Sequence, residues 1–162
     1  MKKIMVIGCP GSGKSTFSRA LHKRTGIPLF HLDMLYWNKD KTTVEKHVFL
    51  KLLSEIFQKN EWIIDGNYAS TLELRLKECD TVIFLDFPQD ICINGIKERK
   101  GKAHSDIPWI SNEEDNLKLI EFAKSYNLQC RPEIFELLDK YSHKNIYILK
   151  NRDEADKFLN QV

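Results

Sequence analysis

The sequence predicts a three-layer α/β fold, in which a parallel sheet lies between two layers of helices. Short apolar runs, suited to buried parallel strands, alternate with longer segments that carry apolar residues at helical spacing. A glycine-rich stretch joins the first apolar run to the first helical segment. Such alternation is typical of right-handed strand–helix–strand units. The predicted strands are Lys2–Ile7, Leu29–Leu32, Trp62–Asp65, Thr81–Asp86 and Asn145–Leu149.

Length, charge and cysteine content narrow the class of protein. The 162 residues suit one domain, 1–162, with room for a sizeable core. A formal net charge of +2 gives no general argument for a nucleic-acid or membrane partner. The N-terminal apolar run is too short for a signal peptide or a membrane span. The four cysteines lack metal-binding spacing, which predicts reduced thiols in a cytoplasmic protein.

The octet G-C-P-G-S-G-K-S, residues 8–15, follows the first strand and fits the phosphate-binding loop pattern G-x-x-x-x-G-K-[ST]. Lys14 suits the β- and γ-phosphates of ATP, and the hydroxyl of Ser15 suits Mg²⁺. The helix predicted over Lys14–Lys23 directs its positive end at the same phosphates. The alternative is a glycine-rich turn that carries a lysine by chance. The predicted nucleotide contacts are Gly8, Pro10, Gly11, Ser12, Gly13, Lys14, Ser15 and Thr16. Cys9 lies inside this loop. It is either a reactive thiol or, as the simpler alternative, a cysteine without a chemical role.

Three further helical segments are visible. An apolar stripe runs from Val44 to Phe57, and Thr42 with Glu45 predicts a capping box at its start. A second segment is marked by Leu72, Leu74 and Leu76, and a third by Ile91, Ile93 and Ile96.

Three aspartates, Asp33, Asp65 and Asp86, end or follow predicted strands. Ligands of open parallel sheets bind at the carboxyl ends of the strands, so these residues are candidates for chemistry. One carboxylate can hold Mg²⁺ through water, and another can orient or deprotonate an acceptor hydroxyl. The alternative is N-capping of the next helix, which is at least as well supported for Asp86 because Pro88 suits a helix start.

Polar and aromatic residues after the second and third strands are candidates for acceptor contacts. Arg75 can offer a planar fork to a phosphate or carboxylate, or it can be a surface helix residue. Tyr36 belongs to an aromatic patch with His31 and Trp37, which either lines a pocket or packs in the core. The candidate acceptor contacts are Asp33, Tyr36, Asn67, Tyr68 and Arg75.

The polar segment 100–116 is predicted to be a lid, with a solvated basic loop as the alternative. It follows a basic cluster of Lys97, Arg99, Lys100 and Lys102. Arg99 is suited to neutralising charge on a transferring phosphoryl group. The pair Arg131-Pro132 is either a second basic contact or a helix start that uses proline in its first turn.

Several blocks of the chain resemble the topology modulation proteins (FlaR-like), which are small P-loop kinases similar to adenylate and shikimate kinases. The blocks are G-x-P-G-S-G-K-S-T, H-L-D-x-L-Y-W, W-I-I-D-G-N-Y and D-T-V-I-F-L-D-F-P, followed by R-P. The resemblance runs from Lys2 to about Leu149. It implies a P-loop NTPase fold with a five-stranded parallel sheet in the order 2-3-1-4-5.

The resemblance also implies residue roles. Asp65 would join Ser15 on the Mg²⁺ side, Asp33 would face the acceptor, and Arg99 would be a lid arginine. The turn Lys150–Arg152 would place Arg152 near the adenine. Family members tend to carry an arginine in the lid where this chain has His104.

Two functional hypotheses follow from these observations. The first is an ATP- and Mg²⁺-dependent phosphotransferase of nucleoside-monophosphate-kinase type, with Lys14, Asp33 and Arg99 as catalytic residues and a small, unidentified acceptor. The second is an ATP-binding regulator that affects DNA topology with little catalysis. The basic cluster at residues 97–102 is the main support for nucleic-acid binding.

Overall fold

The computed structural model describes residues 1–162 and contains one five-stranded sheet. The strand order is β2-β3-β1-β4-β5, and every pairing is parallel. The predicted fold class and strand order are therefore confirmed, with strand ends displaced by no more than one residue. The strands are β1 (Lys3–Gly8), β2 (Leu29–His31), β3 (Trp62–Asp65), β4 (Thr81–Leu85) and β5 (Asn145–Leu149).

Eight helices connect and flank these strands. None of them combines the length and the apolar character that a membrane span requires. The helices are α1 (Lys14–Thr25), α2 (Leu32–Tyr36), α3 (Lys46–Phe57), α4 (Ala69–Glu78), α5 (Gln89–Arg99), α6 (Glu113–Gln129), α7 (Arg131–Lys140) and α8 (Arg152–Gln161).

The core is one cluster of 33 buried residues built around the three central strands. β1 lies between β3 and β4, and its residues from Ile4 to Gly8 are all buried. Strands covered by helices on both faces are apolar throughout rather than alternating, which explains why these runs could be recognised. Because β1 is central, the loop that leaves its carboxyl end emerges in the middle of the sheet edge.

The predicted capping box of the third helix is wrong. α3 begins at Lys46, its N-cap is Glu45, and no side chain caps it. The hydroxyl of Thr42 instead donates to Asp40 Oδ1 at 2.6 Å. Thr43, next to it, forms an isolated antiparallel bridge with Trp37, so this segment is held as a turn before the helix starts.

The predicted lid is shorter than expected. Residues 100–112 are non-helical, whereas α6 already begins at Glu113. Asn112 caps this helix in a capping box, because its side chain accepts from Asp115 N at 2.9 Å and Asp115 Oδ2 accepts from Asn112 N at 3.0 Å. The last four residues of the predicted lid therefore belong to α6.

Arg131 begins α7 with Pro132 in its first turn, which is one of the two predicted alternatives, but its ion pair with Asp86 was not predicted. Arg131 donates to both carboxylate oxygens of Asp86, at 2.8 and 2.9 Å, and Lys150 Nζ lies 2.5 Å from the same carboxylate. Asp86 does not cap α5, whose N-cap is Pro88. The carboxylate instead ties together the carboxyl ends of β4 and β5 and the start of α7. These contacts keep the pKa of Asp86 below its usual range, because together they outweigh the effect of burial.

Candidate active site

A cavity of about 800 Å³ opens at the carboxyl ends of the strands. Its wall is formed by the phosphate-binding loop, the segments that follow β2 and β3, the lid, and parts of α5 and α6. Most residues predicted to bind ligands line it. These are Pro10, Gly11, Gly13, Lys14, Ser15, Thr16, Asp33, Asn67, Tyr68, Arg99 and Arg152.

The loop at residues 8–15 has a conformation suited to phosphate. Gly11 and Gly13 have φ angles of +82° and +89°, which favour glycine. Lys14 Nζ reaches back across the loop and donates to the carbonyls of Gly8 and Cys9 at 2.9 and 3.1 Å. α1 has no side-chain cap and no acidic residue in its first turn, so its positive end is not neutralised. The residues present therefore fit the phosphates of a nucleotide.

Two predicted nucleotide contacts, Gly8 and Ser12, do not line the cavity. Gly8 ends β1, and its amide donates to Asn67 Oδ1 at 3.2 Å. The Ser12 side chain is buried without a hydrogen-bond partner. Cys9 is also buried, and its pKa is raised by the hydrogen bond to Cys92 and by burial, which is the environment of an unreactive thiol.

Asp65, predicted to act on the metal side, lies behind the cavity wall. It is 3% exposed, and its two carboxylate oxygens lie 2.9 Å from His31 Nδ1. Burial lowers the pKa of Lys14, while the negative charges of Asp65 and Asp33 oppose this shift. Asp65 therefore supports the charge of the loop lysine, and its metal role stays a prediction.

Asp33 faces the cavity from α2 and is held by Tyr68, which follows β3. Tyr68 Oη donates to Asp33 Oδ1 at 2.5 Å. Burial raises the pKa of Asp33, although the Tyr68 hydrogen bond and the charge of Lys14 partly oppose this. A carboxylate with a raised pKa, close to the phosphate-loop lysine, is suited to accept a proton.

An aromatic wall stands beside Asp33. Tyr36 does not line the cavity, because its ring packs edge-on against Phe49 and Tyr68, with centroids 5.3 and 4.8 Å away. Trp37 does line the cavity, and its ring centroid lies 5.5 Å from that of Trp109 in the lid. Trp109 was not predicted from the sequence, since nothing in the local pattern connects it to the second strand.

Arg75, predicted as an acceptor contact, has a structural role. Its side chain is fully buried and is not part of the cavity wall. The guanidinium donates to the carbonyls of Gly66 and Tyr68 at 2.9 and 3.1 Å and also to the carbonyl of Asn67. Arg75 thus holds the loop that follows β3 and positions Tyr68 and Asn67 from behind.

The lid contributes a carboxylate, Asp106, that sequence reasoning missed. Its Oδ2 accepts from Ser15 Oγ at 2.8 Å and from Arg99 Nη2 at 2.9 Å. Burial alone would raise the pKa of Asp106, but the charge of Arg99 and the hydrogen bonds hold it below its usual range. An acidic residue in a basic lid segment was the available signal, and only the fold reveals that it meets Ser15.

Two members of the basic cluster at residues 97–102 have carboxylate partners. Arg99 turns inward to Asp106, and Lys100 Nζ lies 3.7 Å from Glu113. Lys102 lines the cavity together with His104, whose Nε2 is buried without a hydrogen-bond partner.

Arg152 flanks the phosphate-binding loop, and its place near the adenine stays a prediction. It begins α8, directly after β5 and the turn that follows. A Cβ added to Gly13 would lie 3.3 Å from Arg152 Nη1, so the guanidinium flanks the phosphate-binding loop. Its other neighbour is the ring of Phe87, 5.9 Å from the guanidinium carbon.

Comparison with known proteins supports this architecture. The structure of shikimate kinase from Acinetobacter baumannii in complex with shikimate superposes with a TM-score of 0.58 and 21% sequence identity, covering 99% of this chain and 92% of that one. At this identity the likeness shows the fold alone. Two adenylate kinase sequences from Thermotoga neapolitana are 28% identical over 94 residues, which are 56% of this chain. The match covers 42% of their length, so this chain spans less than half of those relatives.

A protein-family profile described as an AAA domain matches residues 4–135, which include the phosphate-binding loop and the lid. Because this match extends over most of the chain, the protein belongs to the AAA domain family.

Proposed function

We propose that this protein is an ATP- and Mg²⁺-dependent phosphotransferase that moves the γ-phosphoryl group of ATP to a hydroxyl of a small acceptor. One observation carries the proposal: the phosphate-binding lysine and the Asp33–Tyr68 pair open into the same cavity. The relatives described above are named as adenylate and shikimate kinases, which supports phosphoryl transfer as the reaction class.

The phosphate-binding loop and two arginines form the nucleotide side of the cavity. Lys14 and the amides at the start of α1 would hold the β- and γ-phosphates, and Ser15 would hold Mg²⁺. Mg²⁺, when bound, would neutralise charge that develops on the bridging oxygen. Arg152 flanks the loop on the nucleotide side, and Arg99, at the end of α5 next to the lid, covers the transferring group.

The chemical step is assigned to Asp33 on the acceptor side. The acceptor oxygen bonds to the γ-phosphorus as the bond from that phosphorus to the β,γ-bridging oxygen breaks, and ADP leaves. Asp33 takes the proton of the acceptor hydroxyl. Its raised pKa suits this role, and Tyr68 orients the carboxylate through a 2.5 Å hydrogen bond.

The wall next to Asp33 favours an acceptor with hydroxyl groups on a ring. Trp37 and Trp109 offer aromatic faces, which pack well against a flat or ring-shaped ligand. The Lys41 Nζ atom, 5.9 Å from the centroid of the Trp109 ring, is already paired with Asp115 at 2.8 Å, and Arg75 is buried behind the loop. An uncharged alcohol such as a nucleoside or a sugar therefore fits this end better than an acceptor with a second anionic group.

The alternative, a regulator acting on DNA, is not taken further. Its support was the basic cluster at residues 97–102, and two of those side chains are paired with carboxylates. The assignment to topology modulation proteins likewise stays a prediction from sequence resemblance.

The proposal is tested with purified protein, γ-labelled ATP and a panel of nucleosides, neutral sugars, nucleoside monophosphates and hydroxy acids. We expect labelled product from an uncharged alcohol, and Lys14→Ala should lose it while keeping its thermal stability. Lys23→Ala, at the exposed end of the same helix, is the matched control and should retain full activity. Full activity of Lys14→Ala would disprove the mechanism.

A further inference from the structure

Asp106 is buried, unlike most of the lid residues that precede it. Its side chain is 4% exposed, although residues 100–105 before it are mostly exposed. Both of its hydrogen bonds end on Oδ2, where Ser15 and Arg99 donate. This carboxylate therefore links the lid directly to the residue whose hydroxyl is assigned to the metal.

The other oxygen of Asp106 lacks a hydrogen-bond partner. Oδ1 is buried, and the Arg19 Nη1 atom is 3.8 Å away, beyond hydrogen-bond distance. Arg19 is itself engaged by Ser105 and Thr16, each at 3.2 Å. A buried carboxylate oxygen without a partner from the protein is costly, and in a ligand site such an atom is free to accept a water, an ion or a ligand as its partner.

We infer that Asp106 is a ligand of the nucleotide-bound Mg²⁺, so that the metal joins the lid to the phosphate-binding loop. This inference rests on the proposed function. Mg²⁺ in phosphate sites is held by one or two carboxylates together with phosphate oxygens and waters, and Asp106 is the carboxylate nearest to Ser15 in the cavity wall. Arg99, bonded to the same carboxylate, would then be positioned over the phosphates by lid closure on the metal.

The test measures nucleotide binding rather than turnover. The affinity of a non-hydrolysable ATP analogue is determined by calorimetry in EDTA and in Mg²⁺, for wild type, Asp106→Asn and Glu98→Gln. Asn keeps the shape and can still accept from Ser15 and Arg99. Glu98→Gln removes another negative charge from the same cavity and serves as the control.

We expect Mg²⁺ to raise the affinity for the analogue about tenfold or more in wild type and in Glu98→Gln. In Asp106→Asn, Mg²⁺ should raise this affinity less than about threefold. In EDTA, Asp106→Asn should bind the analogue as tightly as wild type or more tightly, because a negative charge near the phosphates is gone. Electron paramagnetic resonance of Mn²⁺ with the analogue should show the same loss of metal affinity. Asp106→Ala, which removes the hydrogen bonds as well, should reproduce it.

Two results would overturn the inference. Full Mg²⁺ enhancement in Asp106→Asn would remove the metal role. If Asp106→Asn bound the analogue more tightly than wild type by the same factor in EDTA and in Mg²⁺, Asp106 would only compete with phosphate for Ser15 and Arg99. A wild-type protein that bound no nucleotide would instead overturn the proposed function itself, so the two failures are distinguishable.

Discussion

Gly95 of α5 packs directly against Gly11 of the phosphate-binding loop. A Cβ added to Gly95 would lie 2.1 Å from the carbonyl oxygen of Gly11, and one added to Gly11 would lie 1.8 Å from the carbonyl oxygen of Cys92. The loop is thus braced from behind by a helix backbone, without any side chain between them. Its shape depends on two glycines that are 84 positions apart in the numbered chain.

Gly95→Ala should weaken nucleotide binding. The new methyl group has to move by about 1 Å to reach ordinary contact, and displacements of this size at a site cost up to about 100-fold. We expect the affinity for an ATP analogue to fall at least tenfold, as measured by calorimetry. Asn94→Ala, at an exposed position of the same helix, is the control and should bind normally. Unchanged affinity in Gly95→Ala would show that the loop tolerates displacement.

Asp33→Asn should abolish proton transfer without harming the fold. We expect kcat to fall by about 10²- to 10⁴-fold while the affinity for an ATP analogue is retained. Because the pKa of Asp33 is raised in the folded state, its contribution to stability is present below the unfolded pKa and is lost as pH rises through the folded pKa. Above the folded pKa the ionised carboxylate therefore costs stability, and at such a pH the variant should unfold at the same or a higher temperature.

The raised pKa of Asp33 also predicts how the activity of the wild-type protein depends on pH. Activity should be lost as pH falls through the raised pKa of Asp33, above the value of about 3.9 for an ordinary aspartate. The measurement is the pH profile of kcat/KM, with the exposed Asp40→Asn as control. An acid limb at or below pH 4 would count against Asp33 as the base.

Arg75→Lys should loosen the loop after β3. A lysine cannot reproduce the planar fork that bonds three successive carbonyls, and unsatisfied buried groups cost about 1–3 kcal/mol each. We expect a loss of about 2 kcal/mol in unfolding free energy and a higher KM for the acceptor, with ATP-analogue affinity nearly unchanged. Lys77→Ala, on the same helix, should change stability by less than about 0.5 kcal/mol. A normal acceptor KM would refute the positioning role.

Asp86→Asn should destabilise the junction of β4, β5 and α7. Charge-assisted hydrogen bonds to Arg131 and Lys150 contribute about 1.5–3 kcal/mol at neutral pH. The folded pKa of Asp86 is lowered, so this stability is present above the unfolded pKa and is lost as pH falls through the folded pKa. Chemical denaturation should therefore show wild type and variant converging below about pH 4. Glu73→Gln, in a more exposed ion pair with Lys140, should cost much less stability than Asp86→Asn.

Regular local patterns were sufficient to predict the sheet. β1, β3 and β4 are buried on both faces, so their sequences are uninterrupted apolar runs, and the phosphate-binding motif lies at one of their ends. The strand order came from the resemblance to P-loop kinases rather than from the residues themselves. The capping box at Thr42 failed because its hydroxyl has a nearer partner in Asp40.

The linear sequence was enough for the fold class, the glycine-rich loop after β1 and the positions of the aspartates at the strand ends, because each depends on residues that are neighbours in the chain. Only the tertiary structure decided what each polar group faces. Arg75 donates to backbone carbonyls inside the protein, and Asp65 is hydrogen-bonded to His31. Asp106 is hydrogen-bonded to Ser15, which is 91 positions away in the chain. Burial and pairing depend on segments distant in sequence, and the free-energy cost of an unpaired buried group selects the partner once the chain has folded.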